Sequence, residues 1–216
     1  MSADVYRTAK KVLPVDRPKR PRNAAATREA ILRSALAAFS RYGYDGVGVR
    51  EIAQRAGVTG VLVNRYFGSK EELFATTVEI SCADHRMFES DSATLAKQLT
   101  DRVISKTEAN IEPIDPLLLI LRSAPNPRAA EILRESIARY FEQPLKASLR
   151  GPKASERAAM ILALAVGFQL FRRIIGSKAL AHASRASLSR YLTMIFQQLI
   201  DSSASGGTPI RRKRVN

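Results

Sequence analysis

Between about residue 24 and residue 201, apolar positions recur at three- and four-residue steps, and no stretch shows the strict alternation of a half-buried strand. That period predicts an all-α chain. The first helix is expected over 24–42, with Ile31, Ala35, Phe39 and Tyr42 on one stripe and Gly43 as its stop. Gly46 and Gly48 make the following connection glycine-rich. A short helix over 49–56, a tight turn at Gly57-Val58-Thr59 and a second short helix over 60–67 come next. Ser69-Lys70-Glu71-Glu72 reads as a capping box, in which hydroxyl and carboxylate satisfy orphan amides at the start of a helix running to about Phe88.

Downstream, a more polar helix is expected over 92–109, broken before Pro113. Asp115-Pro116 and Asn126-Pro127 each pair an N-cap with proline at the first helical position. The first opens a short helix through Leu121 and the second a long helix through Leu149, which Pro144 must kink or break. Gly151-Pro152 ends it, and the last two helices are expected over 154–175 and 186–201. The stretch Ala158 to Phe171 is apolar nearly all round, contains Gln169 and stops at Arg172-Arg173. It is short for a membrane span, so a core helix and no membrane segment are expected. The final helix carries Leu188, Tyr191, Leu192, Ile195, Phe196, Leu199 and Ile200, a stripe wider than one core contact needs. Together these two helices predict a four-helix bundle with a second copy, hence a homodimer.

The 216 residues, 45% hydrophobic and 25% charged, suit one helical domain with a small appendage or two small domains. A single cysteine, Cys82, excludes a disulfide framework and a cysteine zinc site and points to the cytoplasm. His85 and His182 lie far apart, so no metal or other cofactor is expected. No apolar run precedes Pro14, so no signal peptide is expected either. The formal net charge of +15 changes the picture more. Residues 1–23 carry seven basic and two acidic side chains, and residues 202–216 carry four basic and none acidic. Nine of the fifteen excess charges therefore fall in two segments whose prolines and Ser/Gly run predict a disordered basic arm and tail. Such arms suit a polyanion partner, or they serve as solubilising tails.

Candidate chemistry concentrates at 49–68. Counting Val49 as first, a small residue (Ala53) is fifth, glycine (Gly57) ninth and Val63 fifteenth. A small fifth residue lets a second helix cross closely, and glycine takes the left-handed turn without a Cβ clash. Ile52, Val58, Val63 and Phe67 are expected to face inward against the first helix. This is helix-turn-helix spacing, which presents its second helix to the major groove, although any αα-corner with a glycine turn shares part of it.

Over Thr27 to Leu73 the chain resembles the TetR family of bacterial transcriptional regulators. The resemblance is carried by Thr27-Arg28, Ile31, Ala35, Phe39, Gly43-Tyr44, Val49-Arg50-Glu51-Ile52-Ala53, Ala56-Gly57-Val58-Thr59 and Tyr66-Phe67-Gly68-Ser69-Lys70-Glu71-Glu72-Leu73. It implies a three-helix DNA-binding domain over 24–69 and a larger helical effector-binding and dimerisation domain over 70–201. It also implies that Thr59 caps the recognition helix and bonds a phosphate. Tyr66, Lys70 and Thr27 match phosphate contacts, and Arg50 matches a contact to base edge or backbone. Gly60, Val61, Asn64 and Arg65 occupy the groove-facing positions, where Asn64 can pair with adenine and Arg65 with guanine or phosphate. Two positions depart from the family pattern: Asn64 replaces a common tyrosine, and Gly48 replaces a capping Ser or Thr.

The partners so implied are a pseudo-palindromic double-stranded DNA operator, a second copy of the chain and a small-molecule effector. Arg17, Lys19, Arg20 and Arg22 are placed to enter a neighbouring minor groove from the proline-spaced arm. Met87, Phe88, Phe141 and Phe168 are candidates for an effector pocket or are plain core. Arg172 and Arg173 either meet an anionic effector or simply end a helix. A DNA-binding protein without a ligand, of constitutive or nucleoid type, stays open as an alternative. An enzyme is disfavoured, because neither histidine nor the cysteine has a motif partner and Glu71-Glu72 is explained by a helix cap.

Overall fold

The computed structural model describes residues 24–83, 92–108 and 115–201, and among these no strand occurs. The helices are α1 (Ala24–Tyr42), α2 (Val49–Arg55), α3 (Gly60–Phe67), α4 (Lys70–Ala83), α5 (Ser92–Glu108), α6 (Pro116–Ser123), α7 (Pro127–Ile137), α8 (Gln143–Ser148), α9 (Ala154–Gln169), α10 (Lys178–His182) and α11 (Arg185–Asp201). The all-α expectation and the ends of α1 and α3 hold as read from the sequence. The basic arm, the tail and the extension of α4 to Phe88 lie outside the described residues.

Three features differ from expectation. Of the kink or break expected at Pro144, the break does not occur. Instead a π turn, Ala138–Glu142, joins α7 to α8 and precedes the proline, whose missing N–H falls in the first turn of α8. A second π turn, Leu170–Ile174, extends α9. The short helix α10 stands between the last two long helices, after Gly176 reverses the chain at φ +70°. Five residues are too few to show a period.

Two hydrophobic cores result. The first gathers Ile31, Phe39, Ile52, Val63, Leu73 and Phe74 from α1–α4 and adds Leu119 of α6 and Leu133 of α7. The second gathers Leu95 and Ile104 of α5, Leu145 of α8, Ile161 of α9 and Phe196 of α11. Phe141, in the first π turn, packs against both.

The end of α6 clasps the end of α1. Arg122 donates from Nη1 to the carbonyls of Ser40 and Arg41 at 2.6 and 2.8 Å, satisfying the last turn of α1. Gly43 sits at φ +72° with the Arg122 carbonyl so close that a Cβ would lie 2.3 Å from its oxygen. Both backbone sign and space therefore demand glycine there. The Tyr44 amide donates to Ser123 Oγ at 3.1 Å, and Asn126 Nδ2 donates to the Asp45 carboxylate at 2.9 and 3.1 Å.

α9 and α11 each have two apolar faces. On α11, Leu188, Leu192, Phe196 and Ile200 point inward at four-residue steps, while Tyr191 and Met194 are 52% and 59% exposed. On α9 only Arg157, Ala158 and Ile161 are buried, and Met160, Val166, Phe171 and Ile175 on it and just beyond it are exposed. The continuous helix Ala154–Ile174 is thus longer than the apolar stretch read from sequence, and by length and composition alone could cross a membrane.

Its buried Arg157 fits a different role. The guanidinium donates to the carbonyls of Pro152, Leu199, Ile200 and Arg150, so one cation caps the C-terminus of α11 and ties down the α8–α9 loop. Arg157→Ala is expected to lower unfolding free energy by about 2–3 kcal/mol, since charge-assisted bonds are lost and acceptors stay buried. Arg157→Lys should recover only part, because an ammonium lacks the planar fork. Urea denaturation of the three proteins checks this.

Candidate nucleic-acid interface

The pair α2–α3 is built as its spacing requires. Ile52 and Ala53 are buried, and Gly57 turns at φ +70° while Val58 N–H bonds back to the Ala53 carbonyl at 2.9 Å. Val63 and Phe67 are buried and Val58 half-buried, all in the first core. The opposite face of α3 is bare: Val61 is 80% exposed, Asn64 and Arg65 are exposed, and Gly60 is half-exposed. Positions 60, 61, 64 and 65 fall on one side by helical geometry, so burying Val63 and Phe67 presents them outward.

The caps are mixed. As expected, Gly48 offers α2 no side-chain cap. Thr59 stands at the N-cap of α3 with extended backbone, yet its hydroxyl makes no cap bond, which corrects the expected capping role. Its carbonyl, which accepts from Leu62 N–H and Val63 N–H, ties the first turn instead. The capping box of α4 forms fully: Ser69 N–H donates to Glu72 Oε2 at 2.9 Å and Glu72 N–H to Ser69 Oγ at 3.1 Å.

Cations surround α3. The Arg50 stem lies over Gly60, whose added Cβ would sit 3.6 Å from Arg50 Cγ. Arg28 stacks on the Phe67 ring at 5.0 Å, and Lys70 Nζ sits 4.4 Å above the Tyr44 ring. Among the described residues none of Arg28, Arg50, Arg65 and Lys70 has an acidic partner, whereas Arg33 and Arg55 are paired with Glu29 and Glu51. Tyr66 is half-buried beside Phe67, and Thr27 is half-buried in the first turn of α1. Arg28 was not singled out by spacing. Its place emerges only when Phe67 folds beneath it, although its position next to Thr27 was a usable signal. The arm residues Arg17, Lys19, Arg20 and Arg22 lie outside the described residues.

Residues 31–77 match the family described as bacterial regulatory proteins, tetR family, and residues 93–200 match the tetracyclin repressor-like C-terminal domain. The chain belongs to the TetR family. It is 38% identical over 82 residues to the transcriptional regulator RutR of Escherichia coli, covering 36% of this chain and 39% of RutR. It is also 37% identical over 60 residues to the transcriptional repressor NicS of Pseudomonas putida, covering 28% of each. The chain thus spans well under half the length of these regulators. Salmonella enterica GusR has the same fold, with a TM-score of 0.64 and 18% identity over 81% of this chain and 95% of GusR.

In this TetR-family chain Tyr44 ties α1 to α4. Its ring meets Phe74 edge-on at 5.0 Å and stacks near Phe39 at 6.2 Å, and its hydroxyl donates to Glu71 Oε1 at 2.8 Å. Of the effector-pocket candidates, Phe168 is half-buried against the second core, Phe141 bridges both cores, and Met87 and Phe88 lie outside the described residues.

Burial first, then the bond to Glu71, push the Tyr44 phenol up to about 12. Its own backbone amide first, then the Tyr44 hydroxyl, hold the Glu71 carboxyl below its usual value. A phenol with a raised folded pKa stabilises fully below its ordinary value near 10 and ceases to as pH climbs through about 12. The depressed carboxyl stabilises above its ordinary value and ceases to as pH falls through the lowered one. In Tyr44→Phe, the late phenolate absorbance step near pH 12 should disappear, and the Glu71 titration followed by NMR should move upward.

Proposed function

We propose that this chain is a homodimeric, sequence-specific DNA-binding transcriptional regulator, a repressor that a small-molecule effector releases from a pseudo-palindromic operator in the cytoplasm. The observation that carries the reading is the bare face of α3 ringed by unpaired cations. Asn64 and Arg65 supply hydrogen-bonding side chains to base edges, with Val61 an apolar contact to a thymine methyl. Thr27, Arg28, Arg50, Tyr66 and Lys70 supply phosphate contacts, and the free Thr59 hydroxyl a further one. The family matches to regulators support the same role.

The outward faces of α9 and α11 support the dimer. Tyr191, Met194 and Ile195 on α11 and Met160 and Val166 on α9 are apolar side chains left exposed, and a second copy of the chain would bury them. A second copy on that surface sets two α3 helices on one side of a duplex, about one helical turn apart. The effector need only bind the non-binding spacing of the heads more tightly than the binding one.

Selection from random duplex DNA should return an inverted repeat, and a set of unrelated sequences would defeat the proposal. Against the selected operator, Arg28→Ala and Lys70→Ala should weaken binding to every sequence alike, each lowering the salt slope by about 1. Asn64→Ala or Arg65→Ala should relax preference at particular base pairs by about 1–3 kcal/mol. Met194→Glu should shift sedimentation to the monomer and weaken operator binding by about two orders of magnitude, since one head then binds alone.

A further inference from the structure

We infer that the turn carrying Arg172 and Arg173 is the polar end of the effector site and takes an anionic, carboxylate-bearing small molecule, an inference that rests on the effector-responsive reading above. The π turn Leu170–Ile174 lets these consecutive arginines reach two different elements: Arg172 donates from Nη1 to Thr107 Oγ1 on α5 at 3.1 Å, and Arg173 pairs through Nη2 with Asp115 at the head of α6. π turns of this kind recur at functional sites. The Arg173–Asp115 pair is deeply buried, its side chains only 8% and 6% exposed.

The pair is incomplete. Arginine binds a carboxylate best along one edge, through two parallel N–H bonds. Asp115 engages only Nη2 of that edge, because its other oxygen, Oδ1, is committed to the Leu117 amide at 2.9 Å as the N-cap of α6. Among the described residues the Nε–H of Arg173 is buried with no acceptor. An unmet buried donor is costly, and an acceptor oxygen arriving there removes the cost. Among the described residues Arg173 meets one carboxylate and Arg172 only the Thr107 hydroxyl, so the two arginines keep one excess positive charge, which favours an anion over a neutral amide. The arriving carboxylate competes with Asp115 for Arg173.

The test uses the full chain and a panel of small aromatic and aliphatic carboxylates, each paired with its neutral primary amide, read by thermal shift and titration calorimetry. Carboxylates are expected to raise the melting temperature while their amides do not. Arg173→Gln should abolish the effect, and Arg172→Gln, at the half-buried neighbour, should weaken it and serves if Arg173→Gln does not fold. Asp115→Asn keeps a cap acceptor but withdraws the competing charge, so it should bind the same carboxylate severalfold more tightly. A merely structural ion pair would instead make Asp115→Asn and Arg173→Gln lose binding together, and that result overturns the inference. So do amides that bind as well as acids, or a panel in which no carboxylate shifts the midpoint. Amides that release operator DNA while carboxylates do not sink the anion assignment and leave the regulator standing. Failure to select any DNA sinks the regulator and leaves the carboxylate titrations to be judged alone.

Discussion

Tyr44 is the side chain on which the packing of α1, α4 and α6 depends. Its amide is held by Ser123 of α6, its ring lies among Phe39 of α1 and Phe74 of α4, its hydroxyl meets Glu71, and its outer face carries Lys70. Each aromatic pair adds about 0.5–1.5 kcal/mol beyond its burial, so the position is fixed by several modest terms acting on one ring. Gly43, immediately before it, admits the Arg122 carbonyl where any side chain would collide. The angle at which α6 meets α1 is therefore set by close backbone contact, and α6 cannot slide along α1 without breaking the bonds of Arg122 and Ser123.

The charges follow a related division. Arg33, Arg55, Arg128 and Arg139 meet acids along or between helices, and exposed pairs of this sort contribute little to stability. Their consequence is electrostatic, since each cancels a positive charge locally. Among the described residues the cations around α3 have no acidic partner, and two are held over aromatic rings rather than beside carboxylates. A ring orients a cation without neutralising it, which leaves the charge free for the phosphate contacts proposed above.

The head was legible in the sequence because its signals are local. Gly43, Gly57 and the Ser69–Glu72 box act within a few residues of themselves, and each appears where the spacing placed it. What could not be read are contacts made across long separations. Arg28 acquires its place from Phe67, Arg173 from Asp115, and α6 and α7 join the first core although periodicity shows only that a helix has an apolar face, never which partner it meets. The π turns were hidden for a related reason: a five-residue hydrogen bond replaces a four-residue one when tertiary packing favours it, without a residue that signals the change. Thr59 shows the limit of a local rule, for it holds the N-cap position and backbone while its hydroxyl stays unused by the helix.

The two-faced helices connect these parts. α9 buries only Arg157, Ala158 and Ile161 along one edge, so its own core holds little of its apolar surface. The same helix runs on into the π turn whose Arg173 pins the head of α6, and the far end of α6 holds the last turn of α1 and the amide of Tyr44. The outer face of α9 and the orientation of α3 are thus joined through direct contacts along α9, α6 and α1. The Arg173–Asp115 pair stands midway along that chain of contacts, at the capped end of the eight-residue helix α6.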